Sequence, residues 1–357
     1  MNTTEIDDMF IYCFMKQFNN SGVVYSWGKI KAGYCQATPR ELKKVGTVTN
    51  VYAGVDSSFV IKNTKLYEIN HIKRPKNLKL NLKLPAIKHV ASSDCYFAID
   101  KFGKLWSWGD MNVSLLGREN PRKGEAPQII ETLSEYKVEQ VVCGDYHTSC
   151  LTTDGEVFLW GHEMMCRNEL PEKFDIEKTV QIASADDHML LLSADRKTVW
   201  AWGYNEAGQL GLEKSIVDDV TFDPFKVPFL GEKEIIKIDC GGNCSAVLTV
   251  DGVIIMWGSL RLHDEEDDIE FERLRTPRII NIEQKVVDIS MGREFMLALT
   301  DDNRLYAFGN NVFGQCGQGT FEDNWLDQPV EVKGLQNLRI KQISAAAHHC
   351  MIKCAKI

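Results

Sequence analysis

The sequence predicts an all-β protein: a seven-bladed β-propeller whose last blade is shared between the two ends of the chain. Three observations predict it. An aromatic-glycine ending recurs as YSWG (Tyr25 to Gly28), WSWG (Trp106 to Gly109), FLWG (Phe158 to Gly161), WAWG (Trp200 to Gly203), IMWG (closing on Trp257 and Gly258) and YAFG (Tyr306 to Gly309). Some 17 residues upstream of each ending, or of its worn equivalent, stands a glycine, alanine or serine: Gly54, Ser92, Gly144, Ala185, Gly241 and Gly292, with Ala346 in a final half-copy. The chain also begins with the second half of such a unit and finishes with the first half.

Taken in order, the elements follow the same logic. Residues 1–8 are expected to be disordered, and IYCFMK (Ile11 to Lys16) reads as a strand without an assigned place. SGVVYSWG (Ser21 to Gly28) is an outer strand. The next unit runs from Gly54 to LYEIN (Leu66 to Asn70), which has lost its Trp-Gly. The third-strand aromatics of the later units are Trp108, Trp160, Trp202, Trp257 and Phe308, with Trp27 in the split unit.

QVVCGDYHTSCLTTDGEVFLWG (Gln140 to Gly161) shows the pattern best: alternating residues mark two strands, and Asp154-Gly155 supplies the tight turn between them. TVDGVIIMWG, TDDNRLYAFG and DKFGKLWSWG repeat that hairpin. The small slots lie 38, 52, 41, 56, 51 and 54 residues apart, room for four short strands and their loops.

Small side chains are needed where sheets converge on a common axis, and large aromatics fill the wide part of each wedge. IKQISAAAHHCMIKC (Ile340 to Cys354) then supplies the inner strands that SGVVYSWG lacks, a clasp that removes free sheet edges. The ring is expected to be one domain spanning 1–357.

Composition is ordinary for a folded chain, with 44% hydrophobic and 25% charged residues. No stretch approaches the ~18 apolar residues of a membrane-spanning helix, and no basic leader precedes Met9 to Met15, so membrane insertion and secretion are not expected. Eleven cysteines without a CxxC pair fit reduced thiols, and the expected location is cytoplasm, nucleus or both. A net charge of −9 argues against general nucleic-acid binding. The charge is uneven: eight Lys or Arg against one Glu between Lys62 and Lys88, and seven carboxylates in HDEEDDIEFE (residues 263–272). Both stretches read as solvated loops.

The units resemble the repeat of the regulator of chromosome condensation. Cys143-Gly144-Asp145-Tyr146-His147, Asp154-Gly155, Trp160-Gly161 and, one unit on, Asn205, Gly208, Gln209, Leu210 and Gly211 carry the resemblance, and Asn311 to Gly317 is a second copy of the last motif. The split blade looks most like the propeller of the retinitis pigmentosa GTPase regulator. The resemblance implies a protein-binding propeller, with a small GTPase as the expected partner and guanine-nucleotide exchange as the expected chemistry. An adaptor recognising another protein is the alternative.

The residues themselves show no GxSxG elbow, phosphate loop, HExxH or CxxC, so covalent catalysis, a cofactor and a metal are not expected. His348, His349, Cys350 and Cys354 cannot share an ion, because alternation along a strand separates them. His147, His188 and His349 occupy one repeat position, where each imidazole is expected to tie its blade to the next through a backbone hydrogen bond. Asp145, Asp186, Asp187 and Arg293 fall in the same turns. Together these seven residues define the expected partner-binding face, on what is expected to be a monomer.

Overall fold

In a computed structural model, each repeat folds into a four-stranded antiparallel sheet, and there are seven of them. Residues 22–31, 34–43, 45–54, 57–70, 79–80, 84–93, 95–109, 113–212, 220–260 and 277–357 are described. The segments 1–8, 11–16 and 263–272 singled out above lie outside them, as does most of the basic stretch beyond residue 70.

From the axis outward, blade 1 comprises β3 (Asn50–Tyr52), β4 (Ser57–Lys62), β5 (Lys65–Asn70) and β6 (Lys79–Leu80). Blade 2 comprises β7 (Ile87–Ser92), β8 (Cys95–Asp100), β9 (Leu105–Gly109) and β10 (Gln128–Ile129). Blade 3 comprises β11 (Val138–Cys143), β12 (His147–Thr152), β13 (Val157–Gly161) and β14 (Glu172–Lys173). Blade 4 comprises β15 (Thr179–Ser184), β16 (His188–Ser193), β17 (Val199–Tyr204) and β18 (Val220–Lys226). Blade 5 comprises β19 (Ile235–Gly241), β20 (Asn243–Thr249), β21 (Ile254–Ser259) and β22 (Arg278–Ile280). Blade 6 comprises β23 (Val286–Met291), β24 (Phe295–Thr300), β25 (Leu305–Asn310) and β26 (Trp325–Glu331). Blade 7 takes its inner strands, β27 (Leu338–Ala346) and β28 (His349–Lys356), from the C-terminal end and its outer strands, β1 (Val23–Lys31) and β2 (Tyr34–Glu41), from the N-terminal end. The clasp has the predicted strand order, with Val23 against Cys354 and Gly28 against His349.

The apolar core is divided among the seams. At the seam of blades 4 and 5, Leu190, Leu192 and Ala201 pack on Ile238, Val247 and Trp257. At the seam of blades 6 and 7, Phe295 and Leu297 pack on Trp27, Cys350 and Ile352. Trp27, Trp160, Trp202 and Trp257 are fully buried, and Trp108 and Phe308 nearly so.

Three of these tryptophans share one bond. Trp257 donates its indole N–H to the Gln209 carbonyl at 2.9 Å, Trp160 to Leu115 at 2.7 Å and Trp27 to Gln315 at 2.7 Å, each carbonyl lying in the third-to-fourth-strand loop of the preceding blade. That explains the Asn-x-x-Gly-Gln motif. Asn205 Oδ1 accepts from Leu210 N at 3.0 Å and Gln209 Oε1 from Ala207 N at 3.0 Å, which holds the turn shut under the next blade's tryptophan. Asn311 and Gln315 repeat both bonds, to Cys316 N and Phe313 N. The last glycine of each turn, Gly211 or Gly317, lies flat against that indole: a Cβ would come within 3.1 Å of the Trp257 nitrogen or 3.2 Å of the Trp27 nitrogen. Blade 3 lacks the motif, and there Trp202 bonds instead to Phe222 of its own outer strand at 3.2 Å.

Near the axis the slot residues touch in succession. A Cβ on Gly241 would overlap the Gly292 carbonyl, one on Gly292 would come within 2.6 Å of the Ala346 carbonyl, and one on Gly144 would overlap the Ala185 carbonyl. A Cβ on Gly54 would overlap the Ser92 hydroxyl. Gly54, Gly144, Gly241 and Gly292 all have ordinary φ, so glycine is there for space and not for backbone conformation.

Candidate protein-docking face

Four of the seven predicted face residues sit where the turns between the two inner strands surround the mouth of the central channel. Asp145 joins β11 to β12, Asp186 and Asp187 join β15 to β16, and Arg293 joins β23 to β24. All four are partly exposed. Backbone bonds fix the turns to one another: Asp145 N donates to Asp186 O at 2.8 Å, and Arg293 N to Ala347 O at 3.3 Å.

Arg293 reaches across a blade. Its Nε lies 2.8 Å from Asp186 Oδ2, although Asp186 belongs to blade 4 and Arg293 to blade 6. Blade 5 permits this because its turn is Gly241-Gly242: a Cβ on Gly242 would overlap the Arg293 carbonyl and come within 3.3 Å of its Cγ. Ser93 Oγ donates to Asp145 Oδ1 at 3.3 Å from the blade 2 turn.

Three carboxylates thus share one guanidinium. Burial raises the Asp145 pKa, Asp186 raises it further, and Arg293 opposes both. Burial also raises Asp186 against the pull of Arg293. Asp187 is pushed up to about 6, by burial first and then by Asp186 and Asp145, with Arg293 pulling it down.

The opposite side of the mouth is basic and aromatic. The His348 and Phe313 ring centres are 4.9 Å apart, and Lys29 Nζ lies 4.8 Å over the same Phe313 ring. Burial, Lys29 and Arg293 push His348 down to about 4. The mouth therefore carries three carboxylates over blades 3 and 4, and over blades 6 and 7 the cations Arg293 and Lys29 beside the neutral His348 and the Glu294 carboxylate. Lys29, Phe313 and His348 were missed in the sequence as members of this face. They come from three separate segments, and Phe313, although inside the Asn311 to Gly317 motif, holds one of its variable positions.

The three repeat-position histidines require a correction, because His147, His188 and His349 are buried and present no imidazole on the face. Each does tie its blade to the next, in all three cases through a serine hydroxyl, and His188 also bonds to the backbone of Cys244 in blade 5. His147 Nε2 is 2.8 Å from Ser184 Oγ, His188 Nε2 is 2.9 Å from Ser245 Oγ and His349 Nε2 is 2.7 Å from Ser58 Oγ. The second strand opens inside the seam, so its first side chain points into the neighbouring blade. Burial pushes His147 and His188 down to about 3, keeping both neutral.

A further ring of ties lies along the innermost strands, and the sequence reading overlooked it. Each first strand from blade 2 to blade 7 carries a register shift near its start. The residue after the shift is polar and reaches the next blade from blades 2, 3, 4, 5 and 7, while Asp288 of blade 6 receives the contact from blade 5. Gln181 accepts from Ile238 N at 3.1 Å and donates to Ile238 O at 3.2 Å, so its amide stands in for a strand neighbour. Gln342 does the same to Val51, at 3.1 and 2.8 Å. Gln140 spans Ile182 N and Val180 O, and Lys237 pairs with Asp288. A polar residue four positions before Gly144, Ala185, Gly241, Gly292 and Ala346 was the available signal.

The fold and face together define a seven-bladed propeller that presents a polarised channel mouth ringed by loops. Profiles of the regulator of chromosome condensation (RCC1) repeat match residues 103–151, 198–248, 302–352 and 286–315, so these segments carry RCC1 repeats. The chain is 27% identical to the human E3 ubiquitin-protein ligase HERC2, over 93% of this chain and 8% of that protein. It is 30% identical to the human probable E3 ubiquitin-protein ligase HERC6, over 70% of this chain and 25% of that protein. It thus spans a quarter or less of these two relatives. Among solved structures, yeast RCC1 (Prp20) bound to Kap60 superposes with a TM-score of 0.79 at 18% identity, covering 94% of this chain and 90% of that one, which is a likeness of fold.

Proposed function

We propose that this chain is a protein-binding propeller that docks its partner on the turn face and regulates a small GTPase, by promoting nucleotide exchange or by associating with it. The observation that carries the reading is the channel mouth, where Asp145, Asp186, Asp187 and Arg293 stand partly exposed on turns locked to one another by backbone bonds. Such a surface is broad, rigid and charge-patterned, which suits a folded protein better than a small substrate. The repeat relationship adds weight, since yeast Prp20p has been described by its binding properties to Gsp1p and histones.

Exchange needs no covalent chemistry from these residues. A propeller that binds the nucleotide-free GTPase more tightly than the nucleotide-bound one shifts the population toward nucleotide release. The face offers charges of both signs, with Asp145, Asp186 and Asp187 toward blades 3 and 4 and Arg293 and Lys29 toward blades 6 and 7, to orient a partner that is itself charged.

A second reading is an adaptor that holds a non-GTPase protein. It is favoured by the two ligase relatives, of which the chain spans 8% and 25%. Affinity capture from lysate with the intact chain, run in parallel with Mg²⁺ and with EDTA, separates the two. A GTPase enriched in the EDTA arm supports exchange, whereas a non-GTPase partner retained equally in both arms supports the adaptor and ends the exchange reading.

A further inference from the structure

The closing seam contains a group that the other six do not. In each blade the residue after the inner-strand register shift, or Asn50 in blade 1, pairs with a second-strand residue that faces the core. Those partners are Leu151, Leu192, Leu248, Leu299, Ile99 and Ile61 in blades 3, 4, 5, 6, 2 and 1, and Lys353 in blade 7. Lys353 is 1% exposed. Its stem passes beneath Gly22, where a Cβ would come within 2.8 Å of the Lys353 Cγ. Its ammonium donates to the Thr49 carbonyl at 2.5 Å, in the segment that leads from blade 7 into blade 1.

The site knots three separate pieces of chain. β28 supplies the lysine, the residue before β1 supplies the gap, and the residue before β3 supplies the acceptor. The Gly22 and Val48 backbones bond to each other in both directions beside it, at 2.9 and 2.8 Å. Two further cations adjoin this knot among the described residues. Lys341 on β27 repels the ammonium, and Lys62 on β4 ends on the Val45 carbonyl of the same segment at 3.3 Å. Val24 on β1 and Gly22 just before it face the lysine without charge.

We propose that Lys353 makes closure of the ring conditional on its charge: the protonated ammonium biases the blade 7 to blade 1 seam toward opening, and neutral or apolar character at this position locks it. A cation held by one carbonyl in an apolar seam regains full hydration when the seam opens, so opening is favoured while the charge persists. Burial, reinforced by Lys341, lowers the Lys353 pKa from 10.5 to about 8. With the closed-state pKa below the open-state value, the open seam holds the proton more tightly. The bias is complete below pH 8 and fades as pH rises toward 10.5.

Hydrogen–deuterium exchange of the intact chain, corrected for intrinsic rates, tests this. Peptides covering residues 22–31, 45–52 and 349–356 report the closing seam, and those covering 188–193 and 243–249 report the seam of blades 4 and 5. Lys353→Met is expected to slow opening of the closing seam at pH 7 at least about tenfold and to leave the reference seam unchanged. Raising the wild-type chain from pH 7 to 9.5 is expected to give similar protection, which the variant does not gain. Equal or faster opening in Lys353→Met means that the ammonium holds the seam shut, and overturns the proposal. If the variant does not accumulate in folded form, the wild-type pH response decides, and no gain in protection at pH 9.5 overturns the proposal.

Discussion

The Trp27 indole nitrogen donates to the Gln315 carbonyl at 2.7 Å across 288 positions of sequence, joining the N-terminal strand of the clasp to the loop of blade 6. The same bond, Trp257 to Gln209, is made between blades 4 and 5 across only 48 positions. Ring closure therefore uses the contact that joins ordinary neighbours, so the split blade is a full member of the ring.

Trp27→Phe keeps an aromatic ring but leaves the buried Gln315 carbonyl without its indole donor. Only the weak Cys350 thiol then donates to it, at 3.4 Å; losing the stronger donor to a buried acceptor is expected to cost about 1 kcal/mol or more in denaturant unfolding. No change in midpoint would remove the indole bond from the account of closure.

Gly144→Val and Gly241→Val each place a branched side chain against the backbone of the next blade. Overpacking against backbone that cannot move is expected to cost about 3 kcal/mol or more. A thermal melt that matches the wild type would contradict convergence of the inner strands.

Deleting Ile340 to Ile357 removes β28 and most of β27, the two inner strands of blade 7. Blades 1 and 6 then lose their seams with blade 7, and β1 gains a free edge. The truncated chain is expected to aggregate or unfold. A soluble monomer as stable as the full chain, by light scattering and melting, would show that the clasp is dispensable.

His147 and His188 give stability a defined pH dependence. Both have folded pKa values near 3, below the 6.5 of a free imidazole. The unfolded chain therefore takes up protons that the folded chain refuses, and stability present above pH 6.5 is lost on acidification. Asp187 and Asp239, each raised to about 6, act oppositely between their folded and free values and reduce the net slope. Against that background, the double variant His147→Gln, His188→Gln is expected to lose about 2.7 kcal/mol per pH unit of slope between pH 4 and 6, the value for two protons. An unchanged slope in urea midpoints would mean that the imidazoles are not held neutral.

The fold was legible because each blade repeats the same two constraints, a small residue at the axis and an aromatic on the third strand, and repetition makes a weak local signal strong. The clasp could be read for the same reason, since SGVVYSWG and IKQISAAAHHCMIKC are the complementary halves of one unit. The face was only partly legible. Turn position puts Asp145, Asp186, Asp187 and Arg293 between the two innermost strands of their blades, where the structure has them, but the same position made His147, His188 and His349 look exposed when their side chains turn into the seams. The reach of Arg293 to Asp186 depends on the absence of side chains in blade 5, which is a property of the assembled ring. Lys353 reads as one residue of a core strand, and only its burial beneath Gly22 shows that its charge has gone in with it.

The central claim, that the turn face is where a protein partner docks, is tested most directly by reversing charge on one face at a time and measuring partner retention by the immobilised chain. Asp145→Lys with Asp187→Lys alters the channel mouth, and Glu131→Lys with Asp154→Lys alters exposed positions on the opposite face. The account predicts at least about a tenfold loss of retention for the first pair and wild-type retention for the second, with both variants melting as the wild type does. Loss confined to the second pair would place the docking surface on the other side of the ring and contradict the account.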